Sequence, residues 1–436
     1  MQTTDPAGHP AWLRRNGPLV LAILLSILAL IQANHRAGQG RSALLRWEDD
    51  FQALWSGADL YGGELDEGYP TLPVTLIVMQ PFRSLGPHLG ALAWAAFKVA
   101  LAWWLVTRAF ALAAGRARDF PVWGQFLVLL LSFRVLSSDI QHGNINLLVG
   151  AVVASAAWCW HRGQALSAGL WIGIGAAMKV TPALGLILLL WKRSSRGVIG
   201  FALGLLLGAL LPAPFVGLER TLELDLAWWD QMVQPYLAGR ELTLMQTMHI
   251  NQSLFGVLAR HLTDSVAIDV DPPKFPESVQ IGWLALSGAA FRWVHLVACL
   301  LVLLSMVFCL RARASARNGL VVLGEFSMLA LAMLMLSERS WKHHYVLLAF
   351  PLAFLVAQCI PAIVGPRDLT RRRVAIAGVL SSALLHGATG SAFLGARGSD
   401  LAEAYGVYLA GGLALFISVG ICLGRMDPGP AAQPDD

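Results

Sequence analysis

The sequence predicts an all-α, polytopic membrane protein with about ten full spans and one broken helical hairpin. Three observations carry that prediction. Apolar runs of about 18 residues or more, enough to cross roughly 30 Å of hydrocarbon, recur from end to end of the 436 residues. Only 14% of the residues are charged while 56% are hydrophobic, a surface no soluble domain of this size tolerates in water. The mean hydropathy is +0.60, and the Lys and Arg residues sit in short clusters between apolar runs rather than along one face. The net charge of +5 therefore reports topology and not a nucleic-acid partner.

In chain order, full spans are expected at 18–34, 88–112, 120–136, 145–161, 197–215, 283–310, 318–336, 343–363, 374–394 and 401–424. The first follows Arg14 and Arg15, and its flank Asn34-His35-Arg36 lacks a small-x-small cleavage site, so it reads as an uncleaved span rather than a signal peptide. The run from Thr71 to Phe82, with Pro70, Pro73 and Pro81, is short for a span and reads as re-entrant or interfacial. Residues 165–191 are long for one crossing and hold Lys179 and Pro182 mid-run, where a charge and a missing amide are costly in lipid. That stretch reads as a hairpin of two half-helices.

The positive-inside rule tests these choices, because each span reverses the side of the next loop. With the hairpin and the short helix as assigned, the clusters at Arg14 to Arg15, Arg108 to Arg118, Arg162, Lys192 to Arg196, Arg311 to Arg317 and Arg367 to Arg373 share one side, the cytoplasm. Both termini fall there, and the protein is expected in the cell (inner) membrane. The chain reads as one transmembrane module, 1–424, with outer loops at 35–87 and 217–280, and a Pro-rich, acidic, disordered cytoplasmic tail at 425–436. The five cysteines lie in apolar stretches at no ligand spacing, so neither disulfides nor zinc are expected.

The polar motifs collect on the outer side. Glu48-Asp49-Asp50-Phe51 offers carboxylates suited to general-base work beside aromatic rings, or else a solvated acidic loop. Lys179, inside an apolar stretch, calls for an anionic partner, which a phosphate or an internal carboxylate could supply. Ser337 to Tyr345 packs Arg339, Lys342, His343, His344 and Trp341 at a span end, suited to holding a phosphate and stacking on a sugar, or to an interfacial aromatic belt. Adjacent His343 and His344 point about 100° apart on a helix and would not both face one ligand. His142-Gly143-Asn144-Ile145-Asn146 and Asn251-Gln252-Ser253 offer amides that could bind a ligand or cap helices. No Walker loop, dinucleotide fingerprint, His-x-x-x-His pair or nucleophile elbow is present.

In order, these motifs resemble the polytopic GT-C glycosyltransferases of family 87, the polyprenol-phosphate-mannose-dependent mannosyltransferases. The resemblance runs from Asp50 to Tyr345: Asp-Phe, Gly-x-x-Leu-Tyr, Tyr-Pro, Gly-x-x-Asn, Lys-x-x-Pro, Asn-x-Ser and Ser-Trp-x-His-His. The chain departs from the family at Thr71, Asn144 and Glu338, where Pro, Gln-x-Asn spacing and Pro are usual. The resemblance implies a GT-C-like fold and transfer of a hexose, mannose first, from a polyprenyl phosphate sugar to a lipid-linked or glycan acceptor on the extracytoplasmic face. It implies Asp50 as the base, Lys179, Arg339, His343 and His344 around the donor phosphate, and Tyr69, Asn144, Asn146, Asn251 and Trp341 at the substrate, with no cofactor and no metal. Membrane lipids are the other expected partners. The competing reading is a transporter or flippase of a lipid-linked or anionic substrate, since broken helices with charges also build midplane sites.

Overall fold

The computed structural model describes residues 11–62, 69–234, 243–310, 318–364 and 368–426. Arg311, Arg313, Arg317, Arg367 and the tail from 427 onward lie outside these residues, as do the side chains of Arg14 and Arg15. Among the described residues the chain is helical, with two isolated bridges, Ile268 to Val279 and Asp271 to Phe275, in the large loop.

The long helices are α1 (Ala11–Gly38), α2 (Pro87–Ala114), α3 (Val122–His142), α4 (Asn146–His161), α5 (Ala165–Met178), α6 (Ser195–Leu210), α7 (Gly288–Cys309), α8 (Gly319–Leu336), α9 (Ala349–Gln358), α10 (Leu369–Ser382) and α11 (Val407–Gly424). Among the described residues, seven helices are long and apolar enough to cross a membrane, or eight if the pair Leu369–Gly387 and Ser391–Ala404, bent by 80°, is one span. The protein is a multi-pass membrane protein. Ten full spans were expected, and the difference has a local cause in each case. The helix α4 has only 16 residues. The run 343–363 starts as a 3-10 turn, Lys342–Leu348, before α9 begins. The run 374–394 is broken: the helix from Leu369 ends in a π turn at Ala383–Gly387, and the chain bends there by 80° into Ser391–Ala404. Apolar composition alone does not separate a helix facing lipid from one enclosed by protein. Helix α8 is the extreme case, with 94% of its apolar window buried inside the bundle.

The hairpin at 165–191 is present, and backbone packing shows why. Gly175 faces Pro182 and Gly185 faces Ile172, so the return segment Thr181 to Trp191 runs antiparallel to α5. Helix α6 then runs parallel to α5. A Cβ on Gly200 or Gly204 would overlap the carbonyl oxygens of Leu166 or Leu170, and one on Gly169 or Gly173 would overlap those of Gly197 or Phe201. Two small-residue stripes spaced four apart thus press backbone on backbone, the packing that membranes favour where there is no hydrophobic drive between helices. Parallel α5 and α6 must start from the same end of the bundle, so the chain between them goes in and comes back. Lys179 ends up at the turn.

At the end of the bundle where α5 and α6 start, Lys192 is not a free loop cation but pairs with Glu325 of α8, both side chains 2% exposed. Arg108 sits between Trp104 and Trp158, 3.9 and 4.4 Å from their ring centres. At the opposite end, short helices at Ala43–Arg46, Glu48–Ser56, Val74–Arg83 and Leu218–Trp228 build a second apolar cluster with Ile145 and Met178. Arg260 clamps the large loop there. Fully buried, it donates to the carbonyls of Met248 and Asn251 at 2.8 Å each and of Ala404 at 2.9 Å, tying the loop to the start of α11.

Gly204→Leu forces a side chain into the α5 backbone and should cost at least about 3 kcal/mol, the scale of severe overpacking. We expect loss of monodisperse protein on size exclusion in detergent, whereas Gly424→Ala, with nothing within 4 Å of the added Cβ and no left-handed backbone, should keep the elution profile.

Candidate functional site

The site end of α1 is shaped by one glycine. Gly40 takes φ 70°, which lets Arg41 N–H bond back to Arg36 O at 3.0 Å and Gly40 N–H to Ala37 O at 3.0 Å. This closure turns the chain so that Arg41 returns over Arg36. The next short helix, Ala43–Arg46, lies against the end of α3, where Gly143 at φ 72° leaves no room for a Cβ beside Ser42 Oγ. Trp94 Nε1 donates to Gly143 O at 2.6 Å and pins the turn. Arg46 Nη2 then reaches Asn144 Oδ1 at 3.4 Å, and Asn144 Nδ2 donates to His343 Nε2 at 2.8 Å.

The result is a cavity of about 300 Å³ walled by four cations, Arg36, Arg41, Arg46 and Lys342. The rings of His142, His343 and Trp341 complete it, and Glu403 is its carboxylate. His142 and His343 stack at 4.6 Å. Among the described residues none of the three arginines has a carboxylate within 4.0 Å, whereas Lys342 and Arg134 both approach Glu403, at 3.7 and 3.8 Å. Trp341 Nε1 is buried with no partner.

Lys179 opens onto a different space. At the break after α5 its backbone is extended, and its Nζ donates to Asn146 Oδ1 at 2.8 Å. Asn146 Nδ2 donates to Asp139 Oδ1 at 2.9 Å, Leu147 N–H to Asp139 Oδ2 at 3.1 Å, and Lys98 Nζ meets the same Oδ2 at 2.8 Å. The partner that Lys179 requires is thus an amide, with the carboxylate one link further on. Lys179, Asn146, Ser337, Ser340 and His344 line a cavity of about 30 Å³, one water's share of liquid. His343 and His344, with ring centres 4.8 Å apart and planes at 85°, face the two different cavities, as adjacent positions on a helical turn require.

Asp50 stands apart from both cavities, on the short helix Glu48–Ser56, a helix that follows Ala43–Arg46 after Trp47 alone. Asp49 is exposed and Asp50 half-buried. Burial, and then the neighbouring charge of Asp49, push the Asp50 carboxyl up to about 6. Glu48 is committed to Arg83, whose Nε donates to its Oε2 at 3.0 Å. Tyr69 is 1% exposed, with Trp47 edge-on to it at 5.5 Å and its hydroxyl accepting from Thr71 Oγ1 at 2.8 Å, so it forms the floor under this patch. A second carboxyl, Asp225 of Leu218–Trp228, has a buried oxygen without a partner and is pushed up to about 6 by burial.

Asn251 corrects the expectation of a ligand contact. It is fully buried and spends its amide inside the protein: Nδ2 donates to Gln246 O at 2.7 Å and Glu338 O at 3.0 Å, while Oδ1 accepts from Ser253 N at 3.1 Å and Ser340 N at 3.0 Å. It holds the Ser337 to Tyr345 segment in place from beneath. Arg339, half-buried, lines neither cavity.

Reading the sequence missed Arg36, Arg41, Arg46, Lys98, Asp139 and Asp225. A signal existed for five of them. Lys98 and Asp139 are ionisable residues in apolar runs, and the three arginines are cations on the side that the positive-inside rule leaves poor in them. Asp225 sits in a loop with other acids and carries no such mark.

The sequence model of glycosyltransferase family 87 matches residues 69–338. Among solved structures, ArnT from Cupriavidus metallidurans bound to undecaprenyl phosphate aligns with a TM-score of 0.44 at 13% identity, covering 94% of this chain and 77% of that one. The apo state of the same protein aligns with a TM-score of 0.37 at 12% identity, covering 94% and 76%. No curated protein matches the sequence.

Asp139→Ala should leave Lys98 buried without a counter-charge, at a cost of about 3–5 kcal/mol. Thermal unfolding in detergent is expected to show a large loss of stability, recovered in part by Lys98→Met in the same chain.

Proposed function

This chain belongs to glycosyltransferase family 87, and from that premise we propose that it transfers a hexose, mannose by the family resemblance, from a polyprenyl phosphate sugar to a hydroxyl of a lipid-linked or glycan acceptor. The observation that carries the reading is the placement, at one end of the bundle, of a half-buried Asp50, without an ion pair among the described residues, one short helix away from a cation-walled cavity. A donor dissolved in the bilayer needs no nucleotide-binding fold. It needs a base for the acceptor and positive charge for the phosphate.

In this reading Asp50 takes the proton of the acceptor hydroxyl as its oxygen bonds to the anomeric carbon. The bond from that carbon to the phosphate oxygen breaks, and the electron pair leaves with the phosphate. His343, on the larger cavity, faces the departing phosphate. Lys179 and His344 border the narrower space beside it, and Trp341 offers a ring face and a free N–H to the sugar. Asn144 and Asn146 act by holding His343 and Lys179.

A base with a carboxyl near 6 is ionised above that pH and protonated below it. Transfer should therefore fall about tenfold per unit as pH drops below the carboxyl's value, as expected for a single essential base. Asp50→Asn should lose about 100-fold to 10,000-fold in transfer rate and the acid limb of the pH profile with it, while Asp49→Asn loses far less. Equal, small losses for both in an assay with radiolabelled polyprenyl phosphate mannose would move the base elsewhere and favour the transporter reading.

The proposed orientation puts the site end outside and the Arg-rich ends of α2, α5 and α10 in the cytoplasm. Single cysteines at exposed Asp59 and Arg372 test it. An impermeant thiol reagent on intact cells should label the first and spare the second; the reverse pattern inverts the topology.

A further inference from the structure

The short helix Glu48–Ser56 has a second face. An open cavity of about 770 Å³ is lined there by Gln52, Trp55 and Ser56, and by Gln80 and Arg83 of Val74–Arg83. It shares no lining residue with the cavities of Lys179 and of the three arginines, and Asp50 is not part of its wall. At about 100° and 1.5 Å per residue, Trp55 projects about 140° around the helix from Asp50 and about 7.5 Å further along it. The indole of Trp55 is 41% exposed. Amid apolar neighbours it would be an aromatic anchor at the membrane surface, but the other four lining residues are polar, which suits water and not hydrocarbon.

The side chains of this face are set before any ligand arrives. Trp55 Nε1 donates to Gln80 Oε1 at 3.2 Å, which fixes the ring and turns the Gln80 Nε2 donors outward. Gln52 Nε2 donates to Glu48 Oε1 at 3.2 Å, which leaves Gln52 Oε1 as an acceptor. Arg83 donates to Glu48 through both Nε and Nη2, and its guanidinium lies 5.2 Å from the Phe51 ring centre. Cation and carboxylate thus offset one another, so the face offers hydrogen bonds and an aromatic plane without net charge. That combination recognises a neutral sugar, whose C–H groups stack on the ring while its hydroxyls exchange hydrogen bonds with the amides. A phosphate finds no uncompensated cation here. An apolar chain would strip water from the amides and give them no partner.

We propose that this cavity is a second sugar site, which takes a neutral hexose unit of the acceptor glycan at a distance from the hydroxyl that Asp50 addresses. The assignment to the acceptor rests on the transferase reading above. Because Trp55 and Asp50 lie on different sides of one helix, a single hexose does not reach both, whereas a glycan of several units does. The site therefore favours glycan acceptors over a lone lipid hydroxyl. It contributes uniform binding, felt in KM and not in the chemical step. Its fixed side chains lose little rotamer freedom when the sugar arrives.

The test has a binding arm and a transfer arm. Saturation-transfer NMR follows mannotetraose and maltotetraose on the purified full chain in nanodiscs, with no donor present. At least one should bind, and Trp55→Ala should weaken it about tenfold, the scale of truncating an aromatic anchor. Gln80→Leu, which keeps the ring and removes the amide, should weaken it in the same direction, and serves should the alanine variant fail to fold. In transfer from polyprenyl phosphate mannose, Trp55→Ala should raise KM for the bound tetrasaccharide by a similar factor with kcat unchanged, and leave methyl mannoside as an acceptor unaffected. A wild type that binds neither oligosaccharide overturns the inference, as do variants that bind like wild type or an equal rise in KM for methyl mannoside. Each of these leaves the transferase reading intact. A wild type that transfers no hexose from any polyprenyl phosphate sugar, yet binds oligosaccharide in a Trp55-dependent way, refutes the transferase reading and supports the sugar site.

Discussion

Lys98 and Asp139 meet 2.8 Å apart with no exposure on either side chain, inside a bundle whose outer face is hydrocarbon. Neither charge could be held there alone, since the penalty of stripping water from one ion is several kcal/mol and is offset only by a partner and further hydrogen bonds. Asp139 supplies those bonds. Through Asn146 and the Leu147 amide it fixes the start of α4, through its own carbonyl it receives Gly143 N–H at 3.1 Å, and through Asn146 it sets the position of Lys179. The last turn of α3, the left-handed Gly143, and the amides on either side of it are thus organised around one carboxylate. The cavities on both sides of the histidine pair inherit their geometry from it.

Positive charge at this end of the molecule is distributed, not pooled. Lys98 is spent on Asp139, Lys179 rests on an amide, Arg260 is consumed by backbone carbonyls, and Arg83 is paired with Glu48. The arginines at 36, 41 and 46 are different, because no carboxylate among the described residues approaches them. Bringing like charges together costs free energy that the folded chain does not recover by itself. An anionic ligand would recover it. Placing His343 on this cavity and His344 on the narrow one follows from the turn that carries them, so one ring faces the arginine-walled space and its neighbour the space that Lys179 lines.

Asp50 is governed by the opposite requirement. The proposed base Asp50 keeps its proton affinity only where no cation binds its carboxylate, and among the described residues no ion pair forms on it, Arg83 being occupied by Glu48. Partial burial raises its carboxyl towards neutrality, where the ionised form still dominates at pH 7 and proton transfer to it is less uphill. Asp225 shares these features from a different segment, with one oxygen buried and unpartnered.

Much of this was determined by the sequence alone. Apolar length and charge clustering give the membrane class, and the cost of Lys179 and Pro182 in lipid gives the hairpin, because a solvent with no hydrogen bonds penalises every such residue regardless of its neighbours. The Asp49 and Asp50 distinction, and the divergence of His343 and His344, follow from local backbone geometry. The tertiary structure decided what depends on contacts between distant segments. It put Asn251 beneath the site instead of in it, split Lys179 from His343 into separate spaces, joined Lys98 to Asp139 across 41 residues, and gathered three arginines into one wall. The span count belongs to the same class, since α8 is enclosed by protein while α7 faces outward, and an apolar run reads the same in either setting. The physical reason is that transfer into lipid is a property of each residue, whereas a site is a property of which residues the packing of helices brings within a few ångströms of one another.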